Sequence, residues 1–149
     1  MKKTPNAQRR TPNIEWEGGS VAETPNGKYA ARPKYDLEER LLEFTAGIVR
    51  LADSLPNTKA GNHIAGQLLR CGTSPLANHG EVEAAESRKD FLHKLRICLK
   101  ELRETWRWLH LVGRLELTDG HKLGANLTEV EELIRIFAAS VRTTEKNAK

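Results

Sequence analysis

The residues with the clearest chemical character in this sequence are basic and histidine side chains between His93 and Arg114. They recur at alternating steps of three and four, which on an α-helix at about 100° per residue places them on one face. The row consists of His93, Arg96, Lys100, Arg103, Arg107, His110 and Arg114. Guanidinium and ammonium groups arranged in this way bind phosphates and do not read bases. The row therefore predicts a surface for polyanions, with RNA or DNA as candidate ligands.

Four members of this row are our candidate nucleic-acid contacts, and Arg70 and the N-terminal segment would add charge. The four are Arg96, Lys100, Arg103 and Arg107. If about four phosphates are neutralised, binding should be weakly sequence-specific and strongly salt-dependent. The alternative is a hydrated face whose cations pair with acids, each pair contributing about 0–1 kcal/mol. The available acids are Glu81, Glu83, Glu86, Glu129, Glu131 and Glu132.

Catalytic and metal-binding arrangements are not recognisable. A di-iron bundle needs inward-facing Glu-x-x-His pairs, and the nearest analogue, Asp90-x-x-His93, places His93 on the outer row. His79, Glu81 and Glu83 cluster, but surface polar side chains are the simpler interpretation. No Cys–His or Ser–His arrangement and no glycine-rich phosphate loop after a strand is present. We expect no catalytic residues, no metal, no cofactor and no enzymatic activity.

The stretch that carries the basic row also has two apolar rows. The first is a core seam of Phe91, Leu95, Cys98, Leu102, Thr105, Leu109 and Val112. Beside it run Leu92, Leu99 and Trp106, with Trp108 on another flank. Because one bundle core cannot absorb two full stripes from one helix, we expect these four residues to contact further copies of the chain. The alternative is that neighbouring helices of the same monomer cover both rows.

Four amphipathic segments must position these surfaces. The first covers residues 36–54, with Asp36 as its N-cap, and the third begins at Ser87. The fourth follows Thr118 as N-cap and frays after Thr143.

The second segment covers residues 61 to about 86 and contains helix breakers. Each interior glycine costs about 1 kcal/mol relative to alanine, and proline about 3 kcal/mol. We therefore expect a bend or interruption between Gly72 and Pro75, with small residues allowing a neighbouring helix to approach closely. Short connections between four such helices predict an all-α, up-down-up-down four-helix bundle over residues 35–149.

Residues 1–34 have a different composition from the rest. The segment holds four of the six prolines, repeats Thr-Pro-Asn three times and carries the whole net charge of +4. Such a segment cannot bury enough apolar surface to offset its chain entropy, so we expect a disordered basic arm. Trp16 is its one large apolar side chain. It could stack on a base, but we expect it to dock on the bundle.

The remaining composition describes a globular protein of 149 residues that is 38% hydrophobic and 30% charged. No run of about 18 apolar residues is present, so no membrane span is expected. The polar start lacks the apolar region of a signal peptide, which favours a cytoplasmic location. Cys71 and Cys98 are expected to be buried, reduced thiols.

From Tyr35 to Thr143 the chain resembles a family of small bacterial four-helix-bundle proteins encoded in intervening sequences of 23S ribosomal RNA genes. The residues that carry the resemblance are QLLRCGTS at 67–74, Ala77-Asn78, EVEAAESR at 81–88, DFLHKL at 90–95, LKELRET at 99–105 and Trp108-Leu109. One departure is that Pro75 directly follows Ser74, whereas the family usually has one residue after the serine before glycine or proline.

The resemblance implies a homo-oligomer, commonly a pentamer, without known catalytic residues. The architecture is also similar to that of accessory bundle proteins that assist reverse transcriptases of diversity-generating retroelements. The expected partners are therefore further copies of this chain, RNA or DNA, and a reverse transcriptase. A protein–protein scaffold or adaptor with no nucleic-acid role is the alternative.

Overall fold

The computed structural model describes Ile14 and residues 37–148, and residues 37–148 form four α-helices. They are α1 (Leu37–Ser54), α2 (Lys59–Glu83), α3 (Arg88–Arg114) and α4 (Gly120–Lys146). No strand occurs in this part of the chain, so the predicted all-α four-helix bundle is confirmed. Apart from Ile14, the predicted arm, including Trp16, lies outside the described residues, as does the predicted N-cap Asp36.

Neighbouring helices run in opposite directions. On α2 and α3, Lys94 lies 3.9 Å from Glu81, and Arg70 pairs with Glu101 and Glu104. Two pairs between α3 and α4 show the same antiparallel order, because the residue number rises on α3 as it falls on α4. They are Arg96–Glu145 and Trp106–Glu131. At the far end of α1, Ser54 lies 3.2 Å from Thr118, just before α4. These pairs have the order that an up-down-up-down bundle requires, with α3 between α2 and α4.

The core is built from the apolar seam of each helix. All seven predicted core residues of α3 are buried, and they meet buried leucine, isoleucine and phenylalanine side chains of the other helices. Leu41, Ile48 and Leu51 of α1 are fully buried, as are Leu133 and Phe137 of α4. Both cysteines are free and buried, as the sequence predicts. Burial of this seam is the main stabilising contribution, at about 25 cal/mol per Å² of apolar surface.

α2 is one continuous helix that passes through Pro75, so the predicted interruption is wrong, whereas a bend between Gly72 and Pro75 stays a prediction. It also begins earlier and ends earlier than predicted, at Lys59 and Glu83. Thr58 is the N-cap and accepts a hydrogen bond from the backbone N–H of Gly61 at 3.0 Å. Pro75 itself is buried, so tertiary packing offsets the cost of a proline inside a helix.

The helix ends confirm one predicted cap and correct another. Ser87 caps α3, and its hydroxyl accepts from the backbone N–H of Asp90 at 3.1 Å. The N-cap of α4 is Asp119 and not Thr118, because the carboxylate of Asp119 accepts from the N–H of His121 at 2.6 Å. α4 also continues to Lys146, beyond the predicted end at Thr143.

Ile14, the one residue of the N-terminal segment that the structure describes, contacts the bundle. The backbone N–H of Ile14 donates to Ser140 Oγ at 2.9 Å, and the Ile14 side chain packs against the core cluster. Ser140 is buried on α4 and donates in turn to the carbonyl of Ile136. The sequence pattern does not predict this attachment, because an isolated apolar residue in a proline-rich segment has no periodicity to place it.

Candidate functional site

The basic row of α3 lines one wall of a groove between α3 and α4. The groove is open to solvent and has a volume of about 490 Å³, and α3 contributes Arg96, Leu99, Lys100, Arg103 and Arg107 to it. The opposite wall comes from α4, which contributes Ala138, Val141 and Arg142. Four of the five predicted nucleic-acid contacts therefore lie together in one groove. They meet there because the 3.6-residue period aligns them on α3 and the antiparallel neighbour α4 presents small residues beside them.

Most cations of the groove have no acidic partner in the described part of the chain. Lys100, Arg103, Arg107 and Arg142 are exposed, and none of them forms a salt bridge with a described residue. Arg107 Nη1 donates to the backbone carbonyl of Arg103 at 3.2 Å, which holds that guanidinium along the helix. Like charges three or four residues apart on a helix cost a few tenths of a kcal/mol per pair. A bound anion would remove this repulsion.

Arg96 differs from the rest of the row because it is neutralised at one end of the groove. Its Nη2 lies 2.5 Å from Glu145 Oε1 at the end of α4. Both side chains are about half exposed, so this pair contributes little to stability.

Arg70 lies outside the groove. It extends from α2 towards the other side of α3, where its guanidinium bonds Glu101 and Glu104. The structure therefore does not bring Arg70 to the other four predicted contacts, and two carboxylates offset its charge.

Arg142 belongs to the groove and was not among the predicted contacts. Its signal in the sequence is weak, because it is a single basic residue beside the apolar Val141 on α4. The antiparallel packing of α3 and α4 brings it to the basic row, and the period of one helix cannot reveal which side chains of a second helix lie opposite.

The residues expected at an oligomer interface are covered to different extents. Leu99 is 7% exposed and is part of the monomer core, so it offers little surface to a second copy. Leu92, Trp106 and Trp108 are half-buried against the core. Trp106 Nε1 donates to Glu131 Oε1 at 3.2 Å, and its ring lies 4.2 Å from that of His110. Neighbouring helices thus cover part of the second apolar row within the monomer.

The histidine and carboxylates near the end of α2 diverge. His79 is buried and contacts the edge of the Phe137 ring, with 6.5 Å between ring centroids, whereas Glu81 and Glu83 are exposed. Among the described residues no group of three His, Cys, Asp or Glu side chains has the arrangement to hold a metal ion. No helix of the described chain combines the length and apolar character that crossing a membrane requires.

The fold and the groove define a class: a small antiparallel four-helix bundle with an open cationic groove on one helix pair. Residues 34–139 match the family model described as 23S rRNA-intervening sequence protein. The chain belongs to this family.

One solved structure extends the comparison. It is the crystal structure of a protein of unknown function from the S23 ribosomal protein family of Bacteroides thetaiotaomicron VPI-5482. The two chains are 35% identical, with a TM-score of 0.66, and the match covers 70% of this chain and 97% of that one. Among curated proteins, none matches the chain. Neither the family's description nor the neighbour's describes an enzyme.

Proposed function

We propose that this chain is a non-enzymatic, homo-oligomeric accessory protein of the cytoplasm that binds RNA or DNA through the groove between α3 and α4. The observation that carries the proposal is a set of four exposed cations that have no acidic partner among residues 37–148. They are Lys100, Arg103, Arg107 and Arg142. If these charges served only solubility, acidic residues between them would stabilise the bundle better by pairing with the cations, as Glu101 and Glu104 pair with Arg70. Unrelieved repulsion at one surface is typical of a site that is completed by an anion.

Nucleic acid fits this surface better than a small anion does. From Arg96 to Arg107 the row rises eleven residues along α3, or about 16 Å. This distance corresponds to about five phosphates on one strand of a double helix, at about 3.4 Å of helix axis per nucleotide. A repeating polyanion can therefore contact every cation of the row at once, and the counterions released on binding would supply much of the affinity.

The test is binding of generic RNA and DNA by filter retention, using a triple variant with Lys100→Gln, Arg103→Gln and Arg107→Gln. A matched control replaces Arg50, Lys59 and Lys122, which are exposed cations on other parts of the bundle, by glutamine. Both triple variants lose the same charge. We expect the groove variant to bind at least about tenfold more weakly than wild type and the control to stay close to wild type. Equal binding by the two variants would reduce the interaction to net charge and refute the proposal.

A protein–protein scaffold is the second candidate, because the described surface also exposes large apolar side chains. Leu42 is 48% exposed on α1, and Leu111 and Leu115 are exposed at the end of α3. Light scattering at micromolar concentration measures the assembly directly. A mass of several subunits, five in the form that the resemblance implies, supports the homo-oligomer, and a monomer refutes it. Self-association without any nucleic-acid binding would favour the scaffold, and a reverse transcriptase is then the first partner to assay.

A further inference from the structure

The groove between α3 and α4 has an apolar floor beneath its cationic rim. The floor consists of Leu99 on α3 and of Ala138 and Val141 on α4. Leu99 and Val141 are 7% and 9% exposed, and Ala138 is half-buried. Because the alanine side chain is a single methyl group, it leaves a depression that a larger residue would fill.

The shape and lining of this depression differ from what phosphate binding alone requires. A phosphate contact needs donors and positive charge, and apolar carbon contributes nothing to it. The volume of this open groove, about 490 Å³, lies within the range of small-ligand sites, about 300–1,000 Å³. The groove therefore offers an aliphatic surface at the same place as its cations. Sites for single-stranded nucleic acids also combine a cationic groove with a surface for the faces of bases, although that surface is aromatic there.

We infer that the groove takes single-stranded nucleic acid, with phosphates on the cations and a base lying in the depression over Ala138, which the nearly buried Leu99 and Val141 line. This inference rests on the proposed function and specifies its ligand. A duplex keeps the faces of its bases stacked inside and presents only phosphates and groove edges to a shallow site. An unpaired base has an exposed face that can lie on the floor. The floor has no amide or carboxylate to read base edges, so binding should tolerate every base.

The test compares three fluorescent probes at one salt concentration by anisotropy. They are a twelve-nucleotide oligothymidylate, an abasic strand with the same number of phosphates, and a twelve-base-pair duplex. We expect oligothymidylate to bind about tenfold more tightly than the abasic strand, since the only difference between them is the base contact. We expect the duplex to bind no more tightly than the abasic strand. Equal affinity for the two single strands, or preference for the duplex, would overturn the inference.

A floor variant with unchanged charge completes the test. Ala138→Leu fills the depression, and Ala125→Leu at an exposed position of α4 is the matched control. Ala138→Leu should lower the affinity for oligothymidylate to that of the abasic strand, while abasic and duplex binding stay unchanged. Ala125→Leu should leave all three affinities unchanged. Thermal unfolding verifies that each variant folds, and Ala138→Met is the substitute if the leucine variant does not.

The outcomes separate this inference from the proposed function. If wild type binds none of the three probes, the proposed function fails and the inference fails with it. If wild type binds all three alike, the proposed function stands and only the base platform is refuted. If Ala138→Leu changes the subunit mass and leaves oligothymidylate binding as in wild type, the groove is covered by a second copy, and the inference is overturned.

Discussion

Gly72 of α2 lies directly against Ile48 of α1, so closely that a Cβ at Gly72 would be only 2.5 Å from Ile48 Cγ2. Both residues are buried at the α1–α2 interface. A glycine inside a helix costs about 0.5–1 kcal/mol relative to alanine. At this position the cost is offset because only a residue without a side chain lets the two helices approach.

The contact predicts that Gly72→Ala destabilises the bundle although alanine is the better helix former. Ile48 must move to accommodate the new methyl group, and overpacking of this kind costs about 1–3 kcal/mol. The gain in helix propensity is at most about 1 kcal/mol. We therefore expect a lower free energy of unfolding for Gly72→Ala, measured by urea denaturation followed by circular dichroism.

Gly66→Ala is the matched control on the same helix, because a Cβ at Gly66 meets nothing within 4 Å. This variant should be more stable than wild type by about 0.5–1 kcal/mol. If Gly72→Ala is stabilised to the same extent, the close approach of α1 and α2 does not constrain that position.

The comparison of these two glycines also indicates how far the sequence predicts the fold. Periodicity predicts the four seams correctly, since the repeat of apolar residues defines the face that each helix buries. It does not say which small residue meets a neighbour: Gly72 contacts Ile48, whereas Gly66 and Gly80 face open space. For Pro75, local propensity predicts a break, but burial of the proline in the core keeps α2 continuous.

The sequence predicts those residues of the groove that lie on one helix, α3. The row from Arg96 to Arg107 follows from the 3.6-residue period, and all four cations line the groove. The positions of Arg70 and Arg142 depend on the rotation of α2 and α4 about their own axes. This rotation is decided by packing between helices, and no periodicity within α3 contains that information.

The start of α3 predicts a specific pH dependence of stability. Asp90 accepts hydrogen bonds from Lys94 Nζ at 2.8 Å and from the backbone N–H of Glu86 at 3.2 Å. The bond from Lys94, followed by the bond from Glu86, lowers the pKa of Asp90 below its ordinary value of 3.8. The same hydrogen bond with Asp90 raises the pKa of Lys94 above 10.5. The pair therefore stabilises the fold fully between pH 3.8 and pH 10.5, the ordinary pKa values of the two groups. This contribution is lost in acid below pH 3.8, where Asp90 becomes protonated, and in alkali above pH 10.5, where Lys94 loses its proton.

Asp90→Asn should accordingly lower the urea midpoint of unfolding at pH 7. The difference from wild type should disappear as the pH falls below the pKa of Asp90, where wild type has also lost the charge. Glu43→Gln, which removes an exposed charge in the middle of α1, is the control and should have little effect at either pH. A difference between Asp90→Asn and wild type that persists unchanged in acid would show that shape, and not charge, is responsible.

The buried thiol of Cys98 predicts a loss of stability in alkaline solution. Desolvation by the core raises the pKa of Cys98 from 9.0 to about 12. The folded state thus keeps this thiol neutral, and its contribution is fully present below pH 9 and falls as the pH rises from 9 to 12. The fall for one thiol approaches about 1.4 kcal/mol per pH unit.

Cys98→Ala isolates this effect, because every other titrating group is common to both proteins. The variant should be less stable at pH 8 owing to the lost packing, yet its free energy of unfolding should decrease less steeply between pH 9 and 11. Urea denaturation at several pH values measures both slopes. Parallel slopes would mean that Cys98 ionises as easily in the folded state as in the unfolded state.

The groove predicts the salt dependence of binding to a single-stranded oligonucleotide. Four cations of the groove have no acidic partner in the part of the chain that the structure describes, so the slope of log K against log salt should be about −3 for wild type, at about −0.7 per phosphate. The triple variant Lys100→Gln, Arg103→Gln and Arg107→Gln retains Arg142, together with Arg96, which Glu145 neutralises, so its slope should be about −1. The slope is measured by anisotropy titrations at a series of salt concentrations. An unchanged slope in the triple variant would locate the phosphate contacts elsewhere.

The pair between Arg96 and Glu145 predicts a variant that binds more tightly than wild type. Glu145→Gln removes the carboxylate that lies 2.5 Å from Arg96, so a fifth cation of the groove becomes free to contact a phosphate. Affinity for the oligonucleotide should rise several-fold at low salt, and the salt slope should become steeper by about 0.7. Glu132→Gln is the matched control, since it also removes an acid from α4 but frees Arg135, which does not line the groove. If both variants gain affinity equally, the gain comes from net charge; if only Glu145→Gln gains it, the phosphates lie in the groove beside Arg96.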